Sequence, residues 1–304
     1  MRSAFNEELI KIARKDDRIH MVLADIGYGE IEPFAEEFPD RFYNCGVAEQ
    51  NMTGIACGLA MEGKVSITYS IANFPTLRPL EQIRNDVCYH FQNVKIVIIG
   101  GGLAYGSLGV SHHSTEDIAI MRALPDIVVC CPADIKEARA ATHAMIEREG
   151  PFYYRCGYKK EPDIHAGEID FQLGKALVAR EGSDITLIGT GTVTYRALQA
   201  AELLAEQGIK ARVVSMHTVK PIDREAILAA ARETGGIVTV EEHNICGGLG
   251  GAVAEVIAEA GVGIPFKMMA LPDTYVHIVG THEWLLDYYG FSPESIAETA
   301  KGLL

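Results

Sequence analysis

Two short segments hold residue types that could do chemistry. In Asn44-Cys-Gly-Val-Ala-Glu49-Gln50-Asn51-Met52 a carboxylate opens a helical pattern just after a strand. On physics alone, a lone glutamate in a first helical turn complements the helix dipole. The same helix carries Gly54, Ala56, Cys57, Gly58 and Ala60, small residues that let another backbone approach closely, within the chain or across subunits. The second segment is Gly100-Gly-Gly-Leu-Ala-Tyr-Gly106-Ser-Leu-Gly109, which leads into His112-His113. A glycine loop after a buried strand lies where ligands bind in open α/β sheets. Histidine there can act as a general acid or base, or orient a substrate.

Other glycine patterns carry less. Gly58 to Lys64 fits G-x-x-x-x-G-K but lacks the hydroxyl that would hold magnesium, and it ends a helix rather than opening one. Gly189-Thr-Gly191 follows a strand, but Thr194 replaces the third glycine of a dinucleotide loop. Gly247-Gly-Leu-Gly-Gly251 opens a helix, where tight packing explains glycine better than anion binding. None of the seven cysteines forms a C-x-x-C pair, which supports neither a zinc site nor a redox motif and suits buried thiols in a reducing cytosol.

The elements that must position these residues alternate strand and helix. Helices are expected at Ser3–Lys15, Glu49–Met61, Pro79–Phe91, Glu116–Ala123 and Asp134–Arg148, the last with Asp134 as its cap. Strands are expected at Ile19–Ala24, Val65–Tyr69, Val94–Ile99, Ile127–Cys130 and Phe152–Arg155, with a turn at Asp25-Ile-Gly27-Tyr-Gly29. Val94–Ile99 is a near-continuous apolar run, as a parallel strand covered on both faces requires. The polar stretch Gly157–Asp170 reads as a linker. The alternation then restarts with strands Ile185–Ile188, Ala211–Ser215 and Ile237–Val240, helices Val193–Gln207, Asp223–Thr234 and Gly251–Ala260, and two short C-terminal elements. The fold class expected is α/β, two open, mostly parallel sheets each flanked by helices, with domains at 1–157 and 173–304 joined by a linker at 158–172.

Composition narrows the function classes. Hydrophobic residues make up 48% and charged residues 22% of the 304 residues, which excludes wholesale disorder. The net charge of −14 repels a phosphate backbone; the densest positive pair is Lys159-Lys160, so no nucleic-acid partner is expected. No apolar run approaches the roughly 18 residues of a membrane span, and no secretory signal is evident, so no membrane partner is expected.

Gly46-Val-Ala-Glu49-Gln50-Asn51-Met52, then Tyr69-Ser-Ile-Ala-Asn-Phe74, Glu81-Gln-Ile-Arg-Asn-Asp86, and His112 with Asp117 and Arg122-Ala-Leu-Pro125 closely resemble the pyrimidine-binding domain of the transketolase family. Gly189-Thr-Gly191, Lys220-Pro-Ile-Asp223 and Glu241-Glu242-His243 resemble that family's C-terminal domain. Together these implied domains are the thiamine-diphosphate-binding pyrimidine domain and the transketolase C-terminal-like domain. No Gly-Asp-Gly occurs, and the chain starts at the middle domain, so the resemblance implies the C-terminal subunit of a split transketolase, inactive alone. Its partner would be the N-terminal pyrophosphate-binding subunit, with an α2β2 heterotetramer expected. The cofactors implied are thiamine diphosphate and Mg2+, the latter held mainly by the partner.

The resemblance implies Glu49 and His112 as catalytic residues. Glu49, Phe74, Asp25 and Arg78 would contact the cofactor, and His112, His113 and Arg155 the sugar; no metal ligand is expected in this chain. Glu49 would meet the ring nitrogen N1′ of the aminopyrimidine, because a carboxyl group removed from water tends to keep or share a proton. Arg155 would bind a sugar phosphate through bidentate hydrogen bonds. Gly100 and Gly29 stand where ordinary transketolases carry a histidine and a serine that recognise sugar. That departure points away from the usual pentose phosphates and toward a modified sugar. The alternatives are the β-subunit of a 2-oxoacid dehydrogenase, a 1-deoxyxylulose-5-phosphate synthase-like enzyme, a catalytically silent assembly or regulatory subunit, and an NAD-binding Rossmann protein.

Overall fold

The computed structural model describes residues 1–26, 29–158 and 161–304. Gly27 and Tyr28 of the expected turn, and the pair Lys159-Lys160, lie outside the described residues. The strands are β1 (Ile19–Leu23), β2 (Phe42–Asn44), β3 (Val65–Ile71), β4 (Val94–Ile99), β5 (Val128–Cys130), β6 (Phe152–Cys156), β7 (Leu177–Arg180), β8 (Ile185–Gly189), β9 (Ala211–Ser215), β10 (Thr218–Lys220), β11 (Ile237–Asn244) and β12 (Phe266–Leu271).

They form a seven-stranded sheet in the order β10-β5-β6-β4-β3-β1-β2 and a five-stranded sheet in the order β12-β11-β8-β9-β7. Only β10 against β5 and β7 against β9 run antiparallel among these pairs. The expected class, two mostly parallel sheets flanked by helices, is the one adopted. Alternation along the central strands explains the two-sided burial. Val97 and Ile99 join the core under the helices Arg2–Ala13 and Ile135–Glu147, with Phe5, Leu9 and Met145. Ile96 and Ile98 face the opposite core, with Met52 and Ala56 from the helix Glu49–Met61. Lys95 is the polar exception in β4. Its buried ammonium donates to the carbonyls of Arg148 and Gly150 at the end of a helix, and burial pushes its pKa down to about 7.

Three features depart from the pattern read in the sequence. First, β10 comes from the C-terminal half yet completes the first sheet, pairing Thr218 with Cys130. Three residues followed by Pro221 carry too weak a signal to register as a strand, and an edge position tolerates proline. Second, the helix expected over Pro79–Phe91 is a short turn, Leu80–Gln82, followed by a π-helical stretch, Ile83–Cys88. Third, the polar stretch read as a linker is docked: Ile164 and His165 are buried, Asp134 accepts the Ile164 amide at 3.0 Å, and His165 Nε2 lies 2.7 Å from Glu137. The helix Glu32–Glu37 and strands β2, β7, β10 and β12 had no individually assigned counterpart, and the C-terminus holds two helices, His282–Tyr288 and Pro293–Lys301. Among the described residues no helix is long and apolar enough to cross a membrane.

Candidate functional site

The carboxyl ends of β1, β2, β3 and β4 lie side by side, and the loops leaving them carry most of the expected site residues. This is the usual ligand edge of an open parallel sheet. Glu49 is the first residue of its helix, behind Gly46, whose φ of 67° lets the chain turn sharply out of β2. Phe74 and Arg78 belong to the turn after β3, and His112 ends the glycine loop after β4.

Glu49, Arg78, Phe74 and His112 form one continuous relay of contacts. Arg78 Nη1 donates to both carboxylate oxygens of Glu49, at 2.9 and 2.8 Å. The guanidinium sits over the Phe74 ring, 4.6 Å from its centroid. Phe74 meets the His112 imidazole edge-on, with centroids 5.2 Å apart and planes at 72°. Glu49 is 3% exposed, whereas the Arg78 side chain is 50% exposed. Gln50 Nε2 holds the Arg78 carbonyl at 3.3 Å, and Asn73 Nδ2 donates to the Ser111 carbonyl at 3.0 Å, which ties the two loops together. Ser111 Oγ lies 3.0 Å from His112 Nδ1.

The other expected residues stand outside this relay. Asp25, with a φ of 52°, exchanges hydrogen bonds with Asn44 at the end of β2. His113 is buried, and burial lowers its pKa. Arg155 is an interior side chain. Its Nε donates to Asp117 at 2.8 Å and its Nη2 to the carbonyls of Ser114 and Glu242 at 3.0 and 3.1 Å, so it bridges the two halves of the chain. No described residue accepts from its Nη1, and Arg155 lines a cavity of about 510 Å³ between the halves, with Gly191, Thr192, Arg196 and His282.

Sequence reasoning missed two aromatic residues beside the relay. Tyr105 packs 6.2 Å from His112 and 4.4 Å from Tyr158, ring to ring. Both tyrosines line a second cavity of about 230 Å³, with Arg2, Tyr69 and Ile71. A tyrosine inside a glycine-rich loop was the available signal for Tyr105; Tyr158 gave none.

The two glycine motifs of the C-terminal half have plain packing roles. Glu241, buried and with its pKa raised by that burial, accepts the amides of Leu249 and Gly250 at 2.6 and 2.7 Å. The anion at the start of the helix Leu249–Ala260 is therefore the chain's own carboxylate. Gly248 is required by that contact, since a Cβ there would overlap Glu241 Oε2. Gly189 lies against Thr194 in the same way, where a Cβ would stand 2.5 Å from its hydroxyl.

The family description "Transketolase, pyrimidine binding domain" matches residues 1–157, and "Transketolase, C-terminal domain" matches residues 174–296. The chain is 40% identical over 301 residues to a subunit of the apulose-4-phosphate transketolase of Phocaeicola vulgatus, covering 98% of this chain and 96% of that one. It is 38% identical over 301 residues to the 6-deoxy-6-sulfo-D-fructose transketolase subunit of a Clostridium species, covering 99% and 93%. Against the 1-deoxy-D-xylulose-5-phosphate synthase of Heliobacterium modesticaldum identity is 35%, over 98% of this chain but 46% of that longer one. A solved structure described as a split gene transketolase, inactive beta4 tetramer, superposes with a TM-score of 0.89 at 39% identity, covering 100% of this chain and 97% of that one. The chain belongs to the transketolase family, as a counterpart of its split C-terminal subunits.

Proposed function

We propose that this chain supplies the pyrimidine-binding half of a thiamine-diphosphate-dependent active site, and that with a pyrophosphate-binding partner subunit it transfers a two-carbon ketol unit from a ketose to an aldose. The observation that carries this reading is the cradle between Glu49 and Phe74. A flat cation that donates hydrogen bonds at its edge already sits there, in the form of the Arg78 guanidinium. An aminopyrimidine with a proton shared at its ring nitrogen makes the same demands, so the residues present fit that half of the cofactor. Among the described residues no group of three or more His, Cys, Asp or Glu could hold a metal ion.

When bound, the cofactor would supply a nucleophilic carbon and an electron sink for carbon–carbon bond cleavage. Glu49 would share a proton with the pyrimidine ring nitrogen, a role supported by its carboxylate facing the same cradle as the Phe74 ring. Phe74 would offer its face to the ring. His112, held by Ser111 and braced by Phe74 and Tyr105, would hydrogen-bond the substrate near the reacting carbons. Arg155 Nη1 would meet an anionic tail of the sugar; the neighbouring cavity supports this. Two relatives are named for apulose-4-phosphate and 6-deoxy-6-sulfo-D-fructose, and we infer a modified ketose as the donor here.

The deciding experiment reconstitutes the chain with a pyrophosphate-domain partner, thiamine diphosphate and magnesium, and follows ketose cleavage in the presence of an aldose acceptor. Ketol transfer without release of carbon dioxide is the expected result. Carbon dioxide release from a 2-oxoacid would replace this reading with a synthase or dehydrogenase reaction.

A further inference from the structure

We propose that Arg78 is a resident stand-in for the cofactor's aminopyrimidine, and that filling the site requires its guanidinium to leave. This rests on the reading of Glu49 and Phe74 given above and adds a competition inside the same site.

The two contacts that define the pyrimidine cradle are both already taken. Arg78 Nη1 holds both oxygens of Glu49, and the guanidinium covers the Phe74 ring. No other side chain donates to the Glu49 carboxylate among the described residues. Without Arg78, the chain would carry a buried, unpaired carboxylate beside a bare aromatic ring, which is costly. The carboxylate therefore needs a cation or a shared proton at this point; a pyrimidine ring nitrogen offers the second, and in the chain by itself Arg78 provides the first.

The occupant is also built to go. The Arg78 side chain is half-exposed, and its Nε and Nη2 have no acceptor among the described residues, so a swing into water costs it only the contacts with Glu49 and Phe74. Glu49 cannot follow, because it is buried at the start of a helix whose next turn is fixed by Thr53 bonding back to the Glu49 carbonyl. The Arg78 backbone stays put through Gln50 and the proline that follows it. The movement is thus confined to one side chain. A ligand that binds only the vacated form sees its affinity reduced by the fraction of molecules in that form. Pyrimidine binding by the free chain is weakened accordingly, and Arg78 makes loading depend on whatever draws its guanidinium away.

The test is calorimetric titration of the full chain with 4-amino-5-hydroxymethyl-2-methylpyrimidine, the uncharged pyrimidine half of thiamine, at low and high salt. Arg78→Ala is expected to bind the probe about tenfold or more tightly than the wild type, with Arg78→Lys in between, because lysine keeps the charge but loses the flat stack. Salt screens the half-exposed ion pair, so wild-type affinity should rise with ionic strength toward that of Arg78→Ala, which should not respond. Glu49→Gln in the Arg78→Ala background should lose the probe. Equal or weaker binding by Arg78→Ala, with loss on Glu49→Gln, would overturn the stand-in and leave the pyrimidine reading intact. Probe binding indifferent to Glu49→Gln in every background would overturn both.

Discussion

His282 Nε2 lies 2.8 Å from Glu242 Oε1, and the same oxygen accepts the Leu103 amide from the glycine loop. One carboxylate oxygen thus ties a C-terminal helix, the end of β11 and the loop that carries His112. Burial favours the neutral imidazole, but the adjacent Glu242 carboxylate more than offsets this and raises the His282 pKa above its ordinary 6.5. Burial alone would raise the Glu242 carboxyl, yet His282 and Arg155 hold it below the usual carboxylate range.

The signs define a pH window. A histidine with a raised folded pKa contributes stability in full below 6.5 and loses it as pH climbs through the folded value. A carboxylate with a lowered folded pKa contributes fully above 4.5 and loses it as pH falls through the folded value. The pair should therefore be strongest between those two ordinary values. His282→Gln is expected to cost about 1.5–3 kcal/mol near pH 6 and progressively less at alkaline pH, read by urea denaturation. A constant cost from pH 6 to 9 would sink the coupling.

Glu49→Gln should lower ketol transfer by about 10²- to 10⁴-fold in the reconstituted enzyme. Glutamine can still accept from Arg78, so the thermal midpoint of the free chain should barely move. Turnover within a few fold of the wild type would remove Glu49 from the mechanism.

Arg155→Met should destabilise the chain by about 3–5 kcal/mol, because it leaves the buried Asp117 carboxylate without its counter-charge, held only by the Tyr153 hydroxyl, as well as losing the bonds to Ser114 and Glu242. Adding Asp117→Asn should recover part of that loss. The check is the urea midpoint of the single and double variants; a double variant no more stable than the single one would show that the ion pair is not the main contribution.

Two glycines, one inside a helix and one at a helix cap, should respond in opposite directions. At Gly54, on the exposed face of the helix Glu49–Met61, an added Cβ meets nothing within 4 Å, so Gly54→Ala should stabilise the free chain by about 0.5–1 kcal/mol. Gly248→Ala drives a methyl into Glu241 and should cost about 1–3 kcal/mol. Thermal melts of the two variants on opposite sides of the wild type are the expected outcome.

Long, strongly patterned elements were legible before the fold. The apolar run Val94–Ile99, the small-residue helix Glu49–Met61 and the Asp134 cap all stand where their patterns placed them, because burial on both faces, helical spacing and capping are local demands. The three-residue strands β2 and β10 and the π-helical stretch after Pro79 were not legible, since a three-residue strand carries no period and the winding of a helix after a proline depends on what packs beside it.

The order of residues along the chain sets Glu49, Phe74, Arg78 and His112 after strand patterns, while the pyrimidine and sugar roles expected of them come from the family resemblance and not from spacing. Which of them touch is settled by folding alone. It put the Arg78 guanidinium between Glu49 and Phe74, set Asp25 against Asn44, and drew Arg155 inside to join the two halves. Periodicity is enforced by neighbours along the chain, whereas the pairing of a charge depends on which loops the crossovers bring together and how much water remains between them.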